Sequence, residues 1–455
     1  MIMRSGTLGE IEIGRQVTAE AFGPPKQRPF AIRYWDGSIE PGEPGAAPAF
    51  TLVIKCPSAL RAMLLPPSQL AFGDAFLRDE IDFEGDLETA ARTALVIAER
   101  LTSPRRLARL AGLLLRLPPN RRSAVSPHGL LPWARRHTRR RDAEAIRKHY
   151  DVGNEFFQLW LDPQMIYSCA YFPPGVESLD AAQTAKLDYI CRKLRLRPGE
   201  RLLDIGCGWG ALIRHAVRRY GVEAVGITVS PAQAALASRR IAEAGLADRC
   251  RVELRDYRDI GDEPAFDKVA SVGMVEHVGR AKLARYFAKA FQVLRPGGLF
   301  LNHGIVDLES ARPSTRQRRL RQLVWREGRF LRRRVFPNGE LVPFADVVRA
   351  AEGAGFETRD AESLREHYVQ TLRRWVRRLE ARKDDAVALV GEATYRVWRL
   401  YMSAAAASFA QGRIGLVQLL VSKAPADATN VPPQTRDELY LAPWPESQPA
   451  LSQFP

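Results

Sequence analysis

The stretch LLDIGCGWG, residues 202–210, decides the fold. It is an apolar run that carries Asp204, followed by Gly206, Gly208 and Gly210 at alternate positions. Glycine at a strand-to-helix turn lets the backbone approach a ligand closely and lets a helix begin directly after the turn. The stretch therefore predicts the first strand, the glycine turn and the first helix of an α/β domain.

Two classes of cofactor compete for such a turn. A dinucleotide site favours the spacing GxGxxG and a carboxylate at the end of the second strand, where it holds a ribose. Here the third glycine comes one residue early, and the second strand, VEAVGIT, ends without an acid. S-adenosylmethionine therefore fits better than NAD, although GxGxG alone is a weak motif and a turn without a ligand stays open. The predicted contacts, besides the three glycines, are Asp204 near the turn, Thr228 and Gln233 near the ribose, and Asp256 and Tyr257 near the adenine.

Strand-like and helical patterns alternate from Arg201 onward. They predict helices from about Trp209, from Pro231 and from about Ala281 to Leu294, strands near Arg251 and Phe266, and late strands in GGLFLNHG and in GLVQLLVSK, residues 415–423. This alternation predicts an α/β fold with a mostly parallel sheet and helices on both faces.

Five further motifs accompany the glycine loop in a fixed order. They are HYDVGNEFFQLWLDPQMIYSCAYF at 149–172, TVSPAQ at 228–233, RDYRD at 255–259, SVGMVEHVG at 271–279 and FPNGEL at 336–341. Over residues 139–423 the chain thereby resembles the cyclopropane-fatty-acyl-phospholipid synthase family, which includes the mycolic-acid cyclopropane synthases. Looser similarity runs back through FGDAFLRDEIDFEGDLETAARTA. The resemblance implies a Rossmann-like class I methyltransferase fold, a small N-terminal α+β domain and a homodimer.

We expect four regions along the chain. Residues 1–116 form an N-terminal lipid-binding or dimerisation domain, and the prolines and basic cluster of residues 117–142 mark a linker. Residues 143–423 form the S-adenosylmethionine-dependent methyltransferase domain. Residues 424–455 contain seven prolines and form an extended tail.

The resemblance also implies roles for single residues. Tyr167 and Ser168 correspond to cofactor contacts. In the family a bicarbonate ion lies beside the methyl donor, and the residues that hold it correspond here to Cys169, Glu276, His303, Ile305 and Tyr368.

The expected chemistry explains why such residues are needed. An alkene is itself a weak nucleophile, so attack on the sulfonium methyl requires orientation in an apolar pocket that excludes water. Attack leaves a carbocation, and ring closure then needs a base near the transferred methyl group. Bicarbonate can be that base, with His303, Tyr368 and main-chain amides near Cys169 and Ile305 as donors. Glu276 would accept the proton of the ion.

The sequence leaves an ordinary structural interpretation open for each of these residues. Cys169 is a small residue that acts mainly through its backbone in the family interpretation. His303 can be a structural histidine at a strand end, and Tyr368, in REHYVQTLRRW, can begin a plain amphipathic helix. Glu276 and His277 are adjacent rather than spaced as HExxH, so we expect no metal site.

The chain departs from some family members at two places. Ala405 stands where these members have a cysteine, which excludes covalent cysteine catalysis at that position. The connection from His303 to Phe336 is longer and more basic than in the compact members. Substrate recognition by this connection is therefore open.

Charge offers a second line of inference. The formal net charge is +16, and a surplus of this kind attracts nucleic acid or anionic lipid, or reflects an Arg- and Ala-rich composition alone. Residues 312–334 contain ten arginines and one acid. Such a basic amphipathic segment lies on an anionic phospholipid surface or packs on its own domain. Its apolar residues at helical spacing are Leu320, Leu323, Val324, Phe330 and Leu331.

These observations predict one function and leave others open. We expect methyl transfer from S-adenosylmethionine to the cis double bond of an unsaturated acyl chain in phospholipid, giving a cyclopropane ring. A 10-methylene or methyl-branched product is the sister alternative. An RNA methyltransferase is more distant, because no RNA-recognition module or NPPY-like tetrapeptide is found and no nucleic-acid partner is expected. A small-molecule methyltransferase also stays open as a more distant alternative. Retention of Glu276, His303 and Tyr368 argues against a catalytically dead relative.

Cysteine usage and the amino terminus indicate the compartment. The five cysteines form no CxxC pair, so we expect free thiols. The first residues, MIMRSGTLGEIEIG, lack a secretory signal pattern. We expect a cytoplasmic protein, peripheral at the inner face of the membrane.

Overall fold

The computed structural model describes residues 6–119, 152–308, 330, 334–335, 339–424 and 435–440. The predicted linker 117–142 lies outside these ranges except for its first three residues. The predicted basic segment 312–334 lies outside them except for Phe330 and Arg334, and so does most of the predicted tail. Two compact units share the described residues. The first contains 6–119, 330, 334–335 and 390–408, and the second contains 152–308, 339–389, 409–424 and 435–440.

The first unit is an α+β unit with its own sheet of order β2-β1-β3-β4. Strand β1 runs parallel to β3 and antiparallel to β2, and β3 pairs antiparallel with β4. The strands are β1 Ala31–Arg33, β2 Ile39–Glu40, β3 Phe50–Ile54 and β4 Ile81–Gly85. The helices that precede and follow them are α1 Gly6–Phe22, α2 Pro57–Leu64, α3 Gln69–Leu77, α4 Leu87–Arg100 and α5 Pro104–Leu115.

A buried arginine ties this unit together. Arg396 is 5% exposed, and its Nε and Nη2 donate to the main-chain oxygens of Phe76 at 2.8 Å and Ile81 at 2.9 Å. Its Nη1 lies 3.1 Å from Asp82 Oδ2. The guanidinium group therefore adds buried hydrogen bonds to carbonyls at the end of α3 and the start of β4, where the Phe76 carbonyl also accepts from the Asp79 amide at 3.1 Å.

The second unit contains a seven-stranded sheet of order β10-β11-β9-β8-β5-β6-β7. Neighbours from β9 to β7 are parallel, whereas β11 pairs antiparallel with both β9 and β10. The strands are β5 Arg201–Ile205, β6 Glu223–Thr228, β7 Cys250–Leu254, β8 Phe266–Val272, β9 Leu294–Asp307, β10 Glu357–Ser363 and β11 Ile414–Ser422. The predicted mostly parallel sheet and the predicted small N-terminal α+β domain are thus confirmed.

Helices connect these strands in the way that parallel pairing requires. They are α6 Asn154–Gln158, α7 Leu179–Leu194, α8 Ala211–Tyr220, α9 Pro231–Glu243, α10 Val275–Val278, α11 Leu283–Val293, α12 Phe344–Gly353, α13 Arg365–Ala381, α14 Lys383–Ala410 and α15 Asp437–Tyr440. Helix α14 is interrupted at Gly391, where φ is 78°. None of the helices in the described ranges has the length and apolar character needed to cross a membrane.

The centre of the second sheet explains why the glycine loop decides the fold. Leu202 and Leu203 in β5 are 0% and 1% exposed, as a strand covered by helices on both faces must be. Gly226 in β6 lies opposite Asp204 of β5. A Cβ atom on Gly226 would lie 2.7 Å from Cys207 Sγ and 2.9 Å from Ile213 Cδ1. The close approach of the turn to β6 therefore requires glycine at this position.

Candidate active site

A cavity of about 140 Å³ lies in the second unit, beyond the carboxyl ends of β5, β6 and β8. This is where open α/β sheets bind ligands. Nine of the ten predicted cofactor contacts line it, and Gly210 does not. The nine are Tyr167, Ser168, Asp204, Gly206, Gly208, Thr228, Gln233, Asp256 and Tyr257.

The glycine turn at the base of this cavity has the backbone that its sequence predicts. Gly206, Gly208 and Gly210 have φ angles of 82°, 55° and 76°, which glycine adopts without strain. The amides of Gly206 and Cys207 both donate to the carbonyl of Ile227, each at 3.0 Å. These bonds fix the turn against β6. Gly210 instead precedes α8, where its conformation lets the helix begin.

Two buried charged groups of opposite sign face the cavity. Asp204 is 3% exposed, and burial raises the pKa of its carboxyl group to about 7, although the charge of Lys186 lowers it. Lys186, on α7, is 2% exposed and donates from Nζ to Ser168 Oγ at 2.8 Å. Burial lowers the pKa of Lys186 to about 8, against the opposing effect of Asp162. At neutral pH the cavity thus contains a cation.

The predicted ribose and adenine contacts are held by their neighbours. The Thr228 hydroxyl donates to Gln233 Oε1 at 2.8 Å. Arg258 donates from its main-chain nitrogen and from Nε to Asp256 Oδ1, at 2.9 Å and 2.8 Å. These bonds hold Thr228, Gln233 and Asp256 in place at the rim of the cavity.

Several lining residues are absent from the sequence prediction. Lys186, Trp209, Met274, Arg258 and His277 all line the cavity, and none of them is among the predicted cofactor contacts. Trp209 lies inside the glycine motif itself, and its Nε1 donates to Asn154 Oδ1 at 2.9 Å. Lys186 had a detectable signal, because it interrupts the apolar face of α7. A lysine on such a face needs a buried partner.

A chain of aromatic rings leads from the cavity to one of the predicted catalytic residues. Tyr167 lines the cavity, and its ring centre lies 5.3 Å from that of Trp375. The Trp375 ring lies 6.1 Å from Tyr368, which in turn lies 4.7 Å from Phe409. These rings form a continuous apolar wall. The predicted catalytic residues Glu276, His303, Ile305, Cys169 and Tyr368 do not line the cavity themselves.

Glu276 and Ile305 are bonded to each other. The main-chain amide of Ile305 donates to Glu276 Oε1 at 2.7 Å, and burial raises the pKa of Glu276 to about 7. The residue as a whole is partly exposed, but Oε2 is inaccessible to solvent and has no hydrogen-bond partner in the described structure. A buried carboxylate oxygen in this condition is suited to a small hydrogen-bond donor.

His303 is oriented by the strand next to it. His303 on β9 lies opposite Gln418 on β11, and Gln418 Nε2 lies 3.1 Å from His303 Nδ1. With Nε2 of Gln418 donating to Nδ1, the ring proton resides on His303 Nε2. That nitrogen is buried and has no partner among the described residues. Burial holds the pKa of His303 well below its usual value, so the ring is a neutral donor.

Cys169 and Tyr368 meet at Leu364. Cys169 Sγ lies 3.8 Å from the Leu364 carbonyl, which also accepts from the Tyr368 amide at 3.1 Å. The Leu364 amide donates to Leu416, which pairs with Ile305. Burial raises the pKa of the Cys169 thiol, so the sulfur stays protonated and is no nucleophile. The main chain thereby connects the predicted catalytic residues at one end of β9 and β11.

The strand order, the glycine turn and the polar cavity define a class I S-adenosylmethionine-dependent methyltransferase. The model of the mycolic acid cyclopropane synthetase family matches residues 137–419, and a domain of unknown function (DUF7884) matches residues 17–101. The chain belongs to the mycolic acid cyclopropane synthetase family.

Two relatives extend over nearly the whole chain. A probable fatty acid methyltransferase of Pseudomonas putida is 41% identical over 90% of this chain and 96% of its own length. A probable fatty acid methyltransferase of Mycobacterium tuberculosis is 36% identical over 97% of this chain and 99% of its own. The similarity to these two relatives therefore extends over the first unit as well as the second.

Solved structures match the part that contains the cavity. The cyclopropane synthase MmaA2 from Mycobacterium tuberculosis is 35% identical, with a TM-score of 0.57 over 62% of this chain and 98% of its own. The mycolic acid cyclopropane synthase CmaA1, complexed with SAH and CTAB, is 33% identical, with a TM-score of 0.58 over the same shares.

Proposed function

We propose that this enzyme transfers the methyl group of S-adenosylmethionine to the cis double bond of an unsaturated fatty-acyl chain in phospholipid and forms a cyclopropane ring. The observation that carries the proposal is that Glu276 Oε2 and His303 Nε2 are both buried without partners in the described structure, while Glu276 is bonded to the amide of Ile305, two residues after His303 on β9. One accepts and the other donates, which suits a small ion that acts as a base.

The cavity fits the cofactor. Asp204 Oδ1 is buried and lacks a hydrogen-bond partner among the described residues, so it is suited to an ammonium group. Gln233 and Thr228 offer polar atoms for ribose hydroxyls, and Tyr257 offers an aromatic face for adenine. When bound, the cofactor supplies an electrophilic sulfonium methyl group.

The aromatic wall supports an alkene as the acceptor. An alkene needs no base to attack a sulfonium methyl, so the enzyme has to orient the chain and exclude water. Tyr167 lines the cavity and the buried rings of Trp375 and Tyr368 continue from it, so these rings can exclude water, and aromatic faces stabilise a nearby positive charge. Relatives named as fatty acid methyltransferases and cyclopropane synthases agree with a lipid acceptor.

Bicarbonate fits the remaining polar atoms. It would receive a hydrogen bond from His303 Nε2 and donate one to Glu276 Oε2, with Tyr368 as a further donor. When bound, it supplies a base for the proton that leaves the transferred methyl group. The Ile305 amide acts indirectly. It donates to Glu276 Oε1 and so fixes the carboxylate group with Oε2 left to accept from the ion.

A methylene or methyl-branched chain is a second candidate product. The two relatives that extend over 90% and 97% of this chain carry the broader name of fatty acid methyltransferase, whereas the cyclopropane synthases cover about 62%. Both products share the first step with cyclopropane formation. The methylene chain needs a hydride shift in the cation before a proton leaves, and a saturated methyl branch needs a later reduction by a separate reductant.

We further propose that the protein is a homodimer that acts at an anionic membrane surface on the cytoplasmic side. Its formal net charge of +16 supports electrostatic attraction to such lipids. Binding to vesicles with and without anionic lipid, at two salt concentrations, tests the membrane proposal. Sedimentation tests the oligomeric state.

Labelled substrate tests the reaction. The purified protein is incubated with methyl-labelled S-adenosylmethionine and vesicles of cis-unsaturated phospholipid, and the acyl chains are analysed by gas chromatography and mass spectrometry. We expect a labelled cyclopropane. A labelled methylene or methyl branch moves the enzyme to the second candidate. No label in lipid, although the cofactor binds, rejects a lipid acceptor.

A further inference from the structure

Lys186 is a buried cation whose position is not explained by folding alone. It lies on α7 among apolar residues that pack on the sheet, yet its side chain reaches the cavity and donates to Ser168 Oγ at 2.8 Å. An ammonium group removed from water requires nearby negative charge or several acceptors. A neutral hydroxyl group alone supplies neither.

The neighbouring carboxylates do not fully occupy this cation. The charge of Asp162 stabilises the Lys186 cation, but Asp162 accepts main-chain hydrogen bonds from Gln164 at 3.0 Å and Ile166 at 2.8 Å, and no hydrogen bond or ion pair joins it to Lys186 in the described structure. Asp204 faces the same cavity, and its Oδ1 has no hydrogen-bond partner in the described structure. The cavity therefore presents a positive group, Lys186, and a negative group, Asp204, to a ligand that binds in it.

A ligand with paired charges of both signs complements this arrangement. The amino-acid end of S-adenosylmethionine carries one ammonium group and one carboxylate on the same carbon atom. We propose that Lys186, together with the Ser168 hydroxyl, binds the carboxylate of the cofactor, while Asp204 binds its ammonium group. The assignment rests on S-adenosylmethionine as the cofactor, but not on the nature of the methyl acceptor.

This role has a consequence for ligand selection. Charge-assisted hydrogen bonds to a carboxylate are among the stronger contacts that a side chain makes. Cofactor analogues that lack the carboxylate should therefore bind more weakly to the native enzyme. Lys186 then determines specificity for the intact amino-acid end, in contrast to the glycine turn, which fixes the backbone beneath the ligand.

Isothermal titration calorimetry with two ligands tests this role without any lipid. The native protein and the Lys186→Met variant are titrated with S-adenosylmethionine and with decarboxylated S-adenosylmethionine. We expect the variant to bind S-adenosylmethionine about 10- to 100-fold more weakly. Its affinity for the decarboxylated ligand should change less than about threefold. Ser168→Ala should weaken the intact ligand selectively as well, by a smaller factor.

The comparison between ligands separates binding from folding. A variant that is partly unfolded gives a lower stoichiometry with both ligands, and the ratio of its two dissociation constants is unaffected.

Lys289→Met is the matched control, because Lys289 is a largely buried helix lysine that donates to the Ile260 carbonyl at 3.0 Å and does not line the cavity. Equal losses for both ligands in Lys186→Met would overturn the assignment. So would equal affinities of the native protein for the two ligands. Failure of methyl transfer to lipid would leave the result unchanged.

Discussion

The main-chain amide of Ile305 donates a 2.7 Å hydrogen bond to one carboxylate oxygen of Glu276, and the other oxygen is buried without a partner in the described structure. The bond favours the ionised carboxyl group, whereas burial favours the neutral one. Burial is the larger effect, because the pKa of Glu276 is raised to about 7. The residue therefore changes charge within the range in which the enzyme would work.

Activity should depend on pH through Glu276. In the proposed reaction the residue accepts a hydrogen bond from the bound ion, so its ionised form is required. Activity should increase as the pH rises through about 7 and fall about tenfold per unit below it. The pH profile of kcat, measured with saturating cofactor, checks this. A profile that is flat between pH 6 and pH 8 contradicts the role of Glu276.

Substitution of Glu276 should raise stability while it lowers turnover. Its pKa rises on folding from 4.5 to about 7, so the folded state binds more protons and the free energy of unfolding decreases as the pH rises across that interval. Glu276→Gln keeps an acceptor for the Ile305 amide and removes the buried charge. At pH 8 we expect a gain on the order of 2 kcal/mol, and little change at pH 4.5. Thermal unfolding at both pH values, paired with turnover, measures the two effects.

Sequence patterns determined most of the second unit but only part of its site. LLDIGCGWG and the alternating pattern after it predicted β5 to β9 and β11 with small errors at the ends, because buried parallel strands are continuous apolar runs. The helix after the glycine loop begins at Ala211 rather than at Trp209, since Gly210 has a left-handed conformation. The sequence therefore predicts most clearly those features that depend on neighbouring residues, such as buried strands and the glycine turn.

Contacts between side chains that are distant along the chain could not be predicted from the sequence. Gln418 lies 115 residues after His303, and only the antiparallel register of β9 and β11 places the two side by side. Likewise, Lys186 meets Ser168 because a helix folds back over the preceding loop. These partners depend on tertiary packing and not on spacing along the chain.

Gln418 should affect turnover through the orientation of His303. Gln418→Leu removes the group that holds Nδ1 of His303, so the ring no longer presents its Nε2 proton in a fixed direction. We expect kcat to fall about 10- to 100-fold while the dissociation constant for S-adenosylmethionine is unchanged. Steady-state turnover assays measure kcat, and isothermal titration calorimetry measures the dissociation constant for S-adenosylmethionine. Loss of cofactor affinity would show instead that Gln418 supports the cavity.

Gly226 should not tolerate a methyl group. A Cβ atom there would lie 2.7 Å from Cys207 Sγ and 2.8 Å from Cys207 Cβ, and both atoms belong to the glycine turn. Gly226→Ala should therefore cost about 1–3 kcal/mol and weaken cofactor binding by displacing the turn. Gly261→Ala is the control, because a Cβ atom at Gly261 meets nothing within 4 Å. Equal stability and affinity in both variants would contradict the close approach of the turn to β6.

Arg396 should be a major determinant of the stability of the first unit. Arg396→Leu removes the buried donor to the carbonyls of Phe76 and Ile81, of which Phe76 keeps the Asp79 amide, and it removes the cation beside Asp82. Because these groups are largely buried, we expect a loss of about 3 kcal/mol in the free energy of unfolding, measured by urea denaturation.

Arg33→Leu is the matched control in the same unit, since Arg33 pairs with Glu84 at the surface, where the two side chains are 38% and 51% exposed. Water satisfies both partners of that pair, so its loss should cost less than about 1 kcal/mol. If the two variants unfold at the same urea concentration, the buried bonds of Arg396 contribute no more than a surface ion pair.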